Sequence, residues 1–164
     1  MNKSKKLTLM ALLILTGLNV HADEILTAQQ AKSILTDENQ ILPQSKQLFV
    51  SGVFSKKKFI PDAESYTGYY LANKNLNFMN FGVLAYQVIY FSVDVGCCIG
   101  SENALILAPK SNSNLAGLQT FAKEHQCVID SSSVVSDLPD QVSVKLISKA
   151  KTSKLLSISC KVDR

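Results

Sequence analysis

The chain is poor in the residues that enzyme sites most often use. Its 164 residues include only two histidines, His21 and His125, and 13 acidic residues. It has no Gly-x-Ser-x-Gly segment to present a nucleophilic serine, no phosphate-binding glycine loop and no His-Glu-x-x-His helix. Six of the 13 acids fall in predicted turns, at Asp37-Glu38, 62–64 and 137–140, where solvated charges are common. We therefore expect no enzymatic activity, no cofactor and no metal, and keep an enzyme of unrecognised type as an alternative.

The sequence also lacks an apolar run long enough to span a bilayer. The run at 7–18 has 12 residues, whereas a membrane helix needs about 20. It follows three lysines and precedes the small-residue site Val20-His21-Ala22, which together make a secretory signal. We therefore predict that residues 1–22 are removed, that Asp23 begins the mature chain without a lipid, and that the protein is periplasmic or secreted.

Little excess charge remains once the signal is set aside. The whole chain carries a formal net charge of +4, and three of its 17 basic residues lie in the signal. The mature chain then has 14 basic residues against 13 acidic ones, a net charge of +1. This near-neutral balance removes the electrostatic reason to expect a nucleic-acid partner. The expected partner is another envelope protein, with no stable membrane insertion after the signal is cleaved.

Four cysteines remain in the mature chain: Cys97, Cys98, Cys127 and Cys160. An even number of cysteines in an oxidising compartment favours two disulfides. A bond between the neighbours Cys97 and Cys98 would close a strained ring, so each is expected to pair separately. The alternation of apolar residues favours Cys97–Cys160 and Cys98–Cys127, although a turn at Gly96 could reverse it. The connectivity therefore stays open.

A metal site is the competing interpretation of the same cysteines. His125-Gln126-Cys127 brings a nitrogen and a sulfur close together, and Cys97-Cys98 could add thiolates that suit Cu(I) or Zn(II). The spacing matches no zinc template, and disulfide formation competes for the thiols. His125 is more simply a favourable charge near the end of a helix.

The aromatic residues are unevenly distributed, since 11 of the 12 phenylalanines and tyrosines lie between Phe49 and Phe91. Tyrosine is favoured in binding surfaces because it offers a large amphipathic contact at low entropy cost. A partner or ligand surface is therefore one interpretation, and packing at the edge of the core is the other. A basic run nearby could attract an acidic partner or an anionic polymer. The candidate binding residues are Tyr66, Tyr69, Tyr70, Tyr86, Tyr90, Lys56, Lys57 and Lys58.

Capping signals, turn residues and hydrophobic periodicity predict one α+β domain over 23–164. Thr27 and Gln30 form a capping box that opens a helix through about Leu35. The predicted strands are 47–54, 67–72, 81–95 and 103–108, with a loop at 73–80. A late helix runs from Asn112 or Ser113 to about Gln126, and a hairpin of 141–148 and 154–162 closes the chain. This order is typical of a mostly antiparallel sheet or a partly closed barrel, with one N-terminal helix, one late helix and disulfide staples.

These features predict an exported, non-enzymatic protein-interaction module. An inhibitor, an immunity protein or an accessory subunit of an envelope system would fit. The alternative is a module that binds a small molecule or an envelope glycan through the tyrosine-rich segment.

Overall fold

The computed structural model describes residues 23–37, 43–55, 67–89, 102–132 and 134–161. These ranges hold the helices α1 (Ala28–Thr36), α2 (Pro43–Val50), α3 (Leu115–Glu124), α4 (Val134–Asp137) and α5 (Asp140–Ala150). They also hold the strands β1 (Glu24–Ile25), β2 (Thr67–Phe78), β3 (Phe81–Ile89), β4 (Glu102–Ala108), β5 (Cys127–Asp130) and β6 (Leu156–Lys161).

The strands form one sheet in the order β1-β2-β3-β4-β6-β5. β1 runs parallel to β2, and every other neighbouring pair is antiparallel. The predicted α+β class and mostly antiparallel sheet are therefore confirmed. The partly closed barrel is wrong, because β1 and β5 end the strand order and do not pair with each other within the described ranges.

Helices cover both faces of the sheet, so the domain has three layers. Side chains alternate along a strand, and β4 accordingly serves two cores. Leu105 and Leu107 pack in a core with residues of α1, α2 and α3. Ile106 and Ala108 pack in a second core with residues of α4 and α5. Burial on both faces explains why this strand is a continuous apolar run in the sequence.

The predicted loop at 73–80 is wrong, because β2 continues to Phe78. Met79 and Asn80 alone make the turn to β3, and both have positive φ angles, 51° and 63°. A two-residue hairpin turn of this kind needs positive φ at both positions, which asparagine tolerates well. The asparagines before it were misleading because a register shift between Leu71 and Leu76 leaves 73–75 exposed within the strand. Of the predicted strand 81–95, β3 accounts for 81–89, and 90–95 lies outside the described residues.

The predicted strand at 47–54 is also wrong, because α2 extends over Pro43–Val50. The helix ends in a Schellman motif, in which Gly52 N–H donates to the Phe49 carbonyl and Val53 N–H donates to the Leu48 carbonyl. Gly52 adopts the required left-handed conformation at φ 75°. Proline at the start of a helix and glycine just after its end are the sequence signals that favour this helix over a strand.

The first strand of the predicted late hairpin is the helix α5. Val142 and Leu146 are one helical turn apart and fully buried, whereas Val144 between them is 67% exposed. Apolar residues at 142, 144 and 146 match the alternation of a strand. The buried residues, however, are four positions apart, which is the spacing of a helix face. Leu156–Lys161, within the second predicted hairpin strand, does form β6, and it pairs with β4 and β5 instead.

Buried polar groups anchor α1 to the sheet. The capping box predicted at Thr27 is present, with reciprocal hydrogen bonds between Thr27 and Gln30. At the other end of the helix, Asn103 of β4 is fully buried and its amide donates to the carbonyls of Ile34 and Asp37. Asp37 is only 2% exposed, so its predicted place among solvated turn charges is wrong: it ends α1, and its backbone carbonyl accepts the hydrogen bond from Asn103 of β4.

Candidate binding edge

β5 is a short edge strand that follows α3 after a single turn. Gln126 makes this turn with φ 55°, and α3 then packs across the strand that follows it. The strand pairs with β6 in the register Cys127↔Cys160, Val128↔Ser159, Ile129↔Ile158 and Asp130↔Ser157. On its outer side no strand pairs with it among the described residues.

A disulfide between Cys127 and Cys160 fixes this edge to the sheet. The predicted pairs Cys97–Cys160 and Cys98–Cys127 are therefore corrected. The reason is the register: Cys127 and Cys160 face each other on neighbouring strands, which leaves neither of them for a second partner. Cys160 is 1% exposed and points into the core beside Ile158, as its alternation with Leu156 and Ile158 predicted. Cys97 and Cys98 lie outside the described residues.

The spacing of the two cysteines shows which backbone groups of β5 face outward. Their Cα atoms are 4.1 Å apart, the short spacing of a non-hydrogen-bonded pair in an antiparallel ladder. Hydrogen-bonded and non-hydrogen-bonded pairs alternate, so Val128 bonds to β6 through its backbone. The N–H and C=O groups of Cys127 and Ile129 point away from β6, toward the side of β5 on which no strand pairs among the described residues.

One exposed apolar side chain lies at the centre of this edge. Val128 is 62% exposed, while Cys127 and Ile129 pack against the core on the α3 side. Proteins limit unwanted pairing at a sheet edge with short edge strands, with charged residues or with proline. β5 is short, but it carries valine at its centre.

A groove begins where β5 ends. It measures ≈ 620 Å³, and its walls include Ser131, Ser132, Val135, Pro109 and Leu155. Ser131 and Ser132 directly follow the last residue of β5, so the groove lies next to the end of this strand. We define the binding edge as the outer side of Cys127–Asp130 together with this groove.

The three described tyrosines of the tyrosine-rich segment pack in or against the cores. Tyr86 is fully buried and Tyr69 is 2% exposed, each in a different one of the two cores. Burial raises the pKa of Tyr69 to about 12, because the phenolate would lose its hydration. Tyr70 is half-buried, with its ring centroid 4.9 Å from that of Phe49 and 6.0 Å from that of Tyr86. The structure thus brings Tyr70 and Tyr86 together as packing residues and places Tyr69 in the other core.

The remaining predicted binding residues lie outside the described residues: Tyr66, Tyr90, Lys56, Lys57 and Lys58.

The sequence also offered His125 and Cys127 as candidate metal ligands. His125 ends α3, and its ring lies 4.5 Å from that of Phe121 in an edge-on contact. The sulfur of Cys127 is bonded to Cys160 and so is not a thiolate ligand. Within the described ranges, no three His, Cys, Asp or Glu side chains group as metal ligands would. Nor do those ranges contain a helix of the length and apolarity needed to cross a membrane.

Sequence reasoning missed Val128 and Ile129, because four residues are too few to show the alternation of a strand.

Comparison with known proteins finds no matching family model, no matching curated protein and no matching solved structure.

Proposed function

We propose that this protein is an exported, non-enzymatic interaction module that binds an extended segment of another envelope protein along the binding edge. The observation that carries the proposal is the outward direction of the Cys127 and Ile129 backbone groups on either side of the exposed Val128. An extended peptide can add to such an edge as a further strand, with backbone hydrogen bonds for affinity and side-chain contacts for specificity.

The size of the edge favours a peptide segment over a second copy of the chain. Two β5 strands related by a two-fold axis would pair only across three residues, Cys127–Ile129, with Val128 against its own copy. A stable protein interface buries about 1,200–2,000 Å², which this contact would not reach. A foreign strand can continue beyond Asp130 into the groove, where Val135 and Leu155 offer apolar contacts.

Two observations support export. The N-terminal signal pattern ends at Ala22, and Asp23 and Glu24 already contact lysines of the folded domain, at 3.7 Å and 3.1 Å. A disulfide that fastens an edge strand is typical of proteins that fold in an oxidising compartment.

An inhibitor, an immunity protein and an accessory subunit all need a rigid docking surface of this kind. The disulfide keeps the edge in place before the partner arrives, which reduces the ordering cost of binding. The alternative, a small-molecule or glycan site built on tyrosines, has less support because Tyr69 and Tyr86 are buried.

Site-specific photo-crosslinking in intact cells tests the proposal, with Val144 as a matched control. Val128 and Val144 are both exposed valines, at 62% and 67%, on different elements of the domain. A benzophenone residue at 128 is expected to capture one protein through one extended segment, and the same residue at 144 is not. A synthetic peptide of the captured segment should bind the purified protein and lose that binding in Val128→Lys but not in Val144→Lys.

Equal capture from both positions, or peptide binding that survives Val128→Lys, would overturn the proposal. A crosslink from 128 to a second copy of the chain would overturn it as well, in favour of self-association.

A further inference from the structure

A separate cleft lies at the end of the sheet where β2 turns into β3. It measures ≈ 250 Å³ and has the buried side chains of Leu76, Val83 and Leu84 in its lining. Lysines from three parts of the chain surround it: Lys74 of β2, Lys110 after β4 and Lys149 of α5. Ligand sites are commonly concave and apolar with a few converging polar groups, and this cleft has that character.

The fold holds two of the three lysines in place through neutral hydrogen-bond acceptors. The ammonium of Lys149 donates to the backbone carbonyl of Ala72. The ammonium of Lys110 donates to the side-chain oxygen of Asn77. Bonds to neutral acceptors fix each ammonium group without neutralising its charge. Partial burial lowers the pKa of Lys149, since an ammonium is less stable where it is poorly hydrated.

The carboxylates at the cleft do not balance the lysines. Lys74 lies 3.1 Å from Glu24, and Lys110 lies 3.7 Å from Asp23. Among the described residues, three ammonium groups therefore meet two carboxylates at the cleft, which leaves one positive charge in excess. Cleavage before Asp23, expected from the sequence, would add an α-ammonium group beside the same cleft.

We infer that this cleft is an anion site for a phosphoryl group, free or carried by an envelope sugar. Its volume suits a group of that size better than a drug-sized ligand, for which sites are about 300–1,000 Å³. Lysine is a common phosphate ligand because its ammonium acts as a compact point charge. The cleft is distinct from β5, which lies at the opposite end of the strand order from β1, although Pro109 lines both the cleft and the groove of the binding edge.

Titration of the chain that begins at Asp23 with inorganic phosphate, followed by amide NMR shifts, tests the inference. Saturable shifts are expected at Asn75, Gly82 and Ala150, which line the cleft. Lys110→Gln and Lys149→Gln should each weaken binding about fivefold, the effect of losing one partly exposed charge pair. Lys123→Gln is the matched control, because Lys123 is an exposed lysine of α3 outside the cleft.

Glucose 1-phosphate distinguishes the two sources of the phosphoryl group. If glucose 1-phosphate binds more tightly than inorganic phosphate, the ligand of the cleft is a sugar phosphate. If the two bind equally, the ligand is the free phosphate ion. Shifts that do not saturate, or affinity that Lys110→Gln and Lys149→Gln leave unchanged, would overturn the inference. Val128→Lys should not alter phosphate binding, so failure here is distinguishable from failure of the proposed function.

Discussion

Cys127 and Cys160 face each other across the β5–β6 pair, with their Cα atoms 4.1 Å apart. Their disulfide links the edge strand β5 covalently to β6. β5 has only four residues and, within the described parts of the chain, pairs with a strand on one side alone, so its backbone pairing is weak by itself. The disulfide joins it to β6, whose other side is paired with β4. A short edge strand is thereby held in the orientation that a partner strand requires.

Loss of this bond should destabilise the domain. The loop that it closes spans 33 positions, for which the chain-entropy model gives about 3–4 kcal/mol. We expect the double substitution Cys127→Ala/Cys160→Ala to lower the free energy of unfolding in urea by about that amount. Non-reducing peptide mapping should recover the peptides of Cys127 and Cys160 linked to each other. A link from either one to Cys97 or Cys98 would contradict this pairing.

Asn103→Ala should destabilise the domain by about 2 kcal/mol, because two carbonyls at the end of α1 lose their buried donor. Asn112→Ala provides the control, since Asn112 is exposed in a turn and should change stability by less than about 0.5 kcal/mol. Chemical denaturation of both variants measures the difference. Equal effects would show that Asn103 does not anchor the helix.

The pKa of Tyr69 predicts a loss of stability in alkaline solution. Burial raises this pKa from 10.0 to about 12, so the unfolded chain ionises first as the pH rises. The contribution of Tyr69 to the free energy of unfolding is therefore fully present below pH 10.0 and is lost progressively as the pH rises to about 12. Tyr69→Phe should flatten the fall of unfolding free energy across this interval. An unchanged pH dependence in Tyr69→Phe would exclude Tyr69 as its source.

Gly52→Ala should lower stability by about 1 kcal/mol, because alanine is strained at φ 75° even though its methyl group would meet open space. Gly82→Ala is the matched control: Gly82 lies in β3 without a positive φ, and its added methyl would make ordinary contacts from 3.5 Å. Thermal unfolding of the two variants compares them directly. A neutral Gly52→Ala would contradict the Schellman ending of α2.

Local sequence signals predicted some elements because the decisive interactions were themselves local. The capping box at Thr27 needs only residues three positions apart, and the apolar run in β4 follows from burial on both faces. At 141–148, the apolar residues fit both the two-residue period of a strand and the four-residue spacing of a helix. Only the exposure of Val144 distinguishes the two, and that exposure depends on how α5 packs on the sheet.

The binding edge could not be predicted because long-range pairing creates it. The place of β5 at the edge depends on its pairing with β6, about 30 residues later in the chain. The disulfide partner of Cys127 follows from that register, not from the direction of nearby apolar residues. The tyrosines were ambiguous for a related reason, since only the covering helices determine that Tyr69 and Tyr86 are buried.

Hydrogen exchange at two neighbouring amides of β5 tests the proposed binding edge most directly. The N–H of Val128 bonds to β6 and should exchange slowly in the free protein, whereas the outward N–H of Ile129 should exchange quickly. On binding of the captured peptide, we predict that Ile129 exchange slows at least about tenfold while Val128 exchange changes little. Binding that leaves the exchange of Ile129 unchanged would contradict strand addition at this edge.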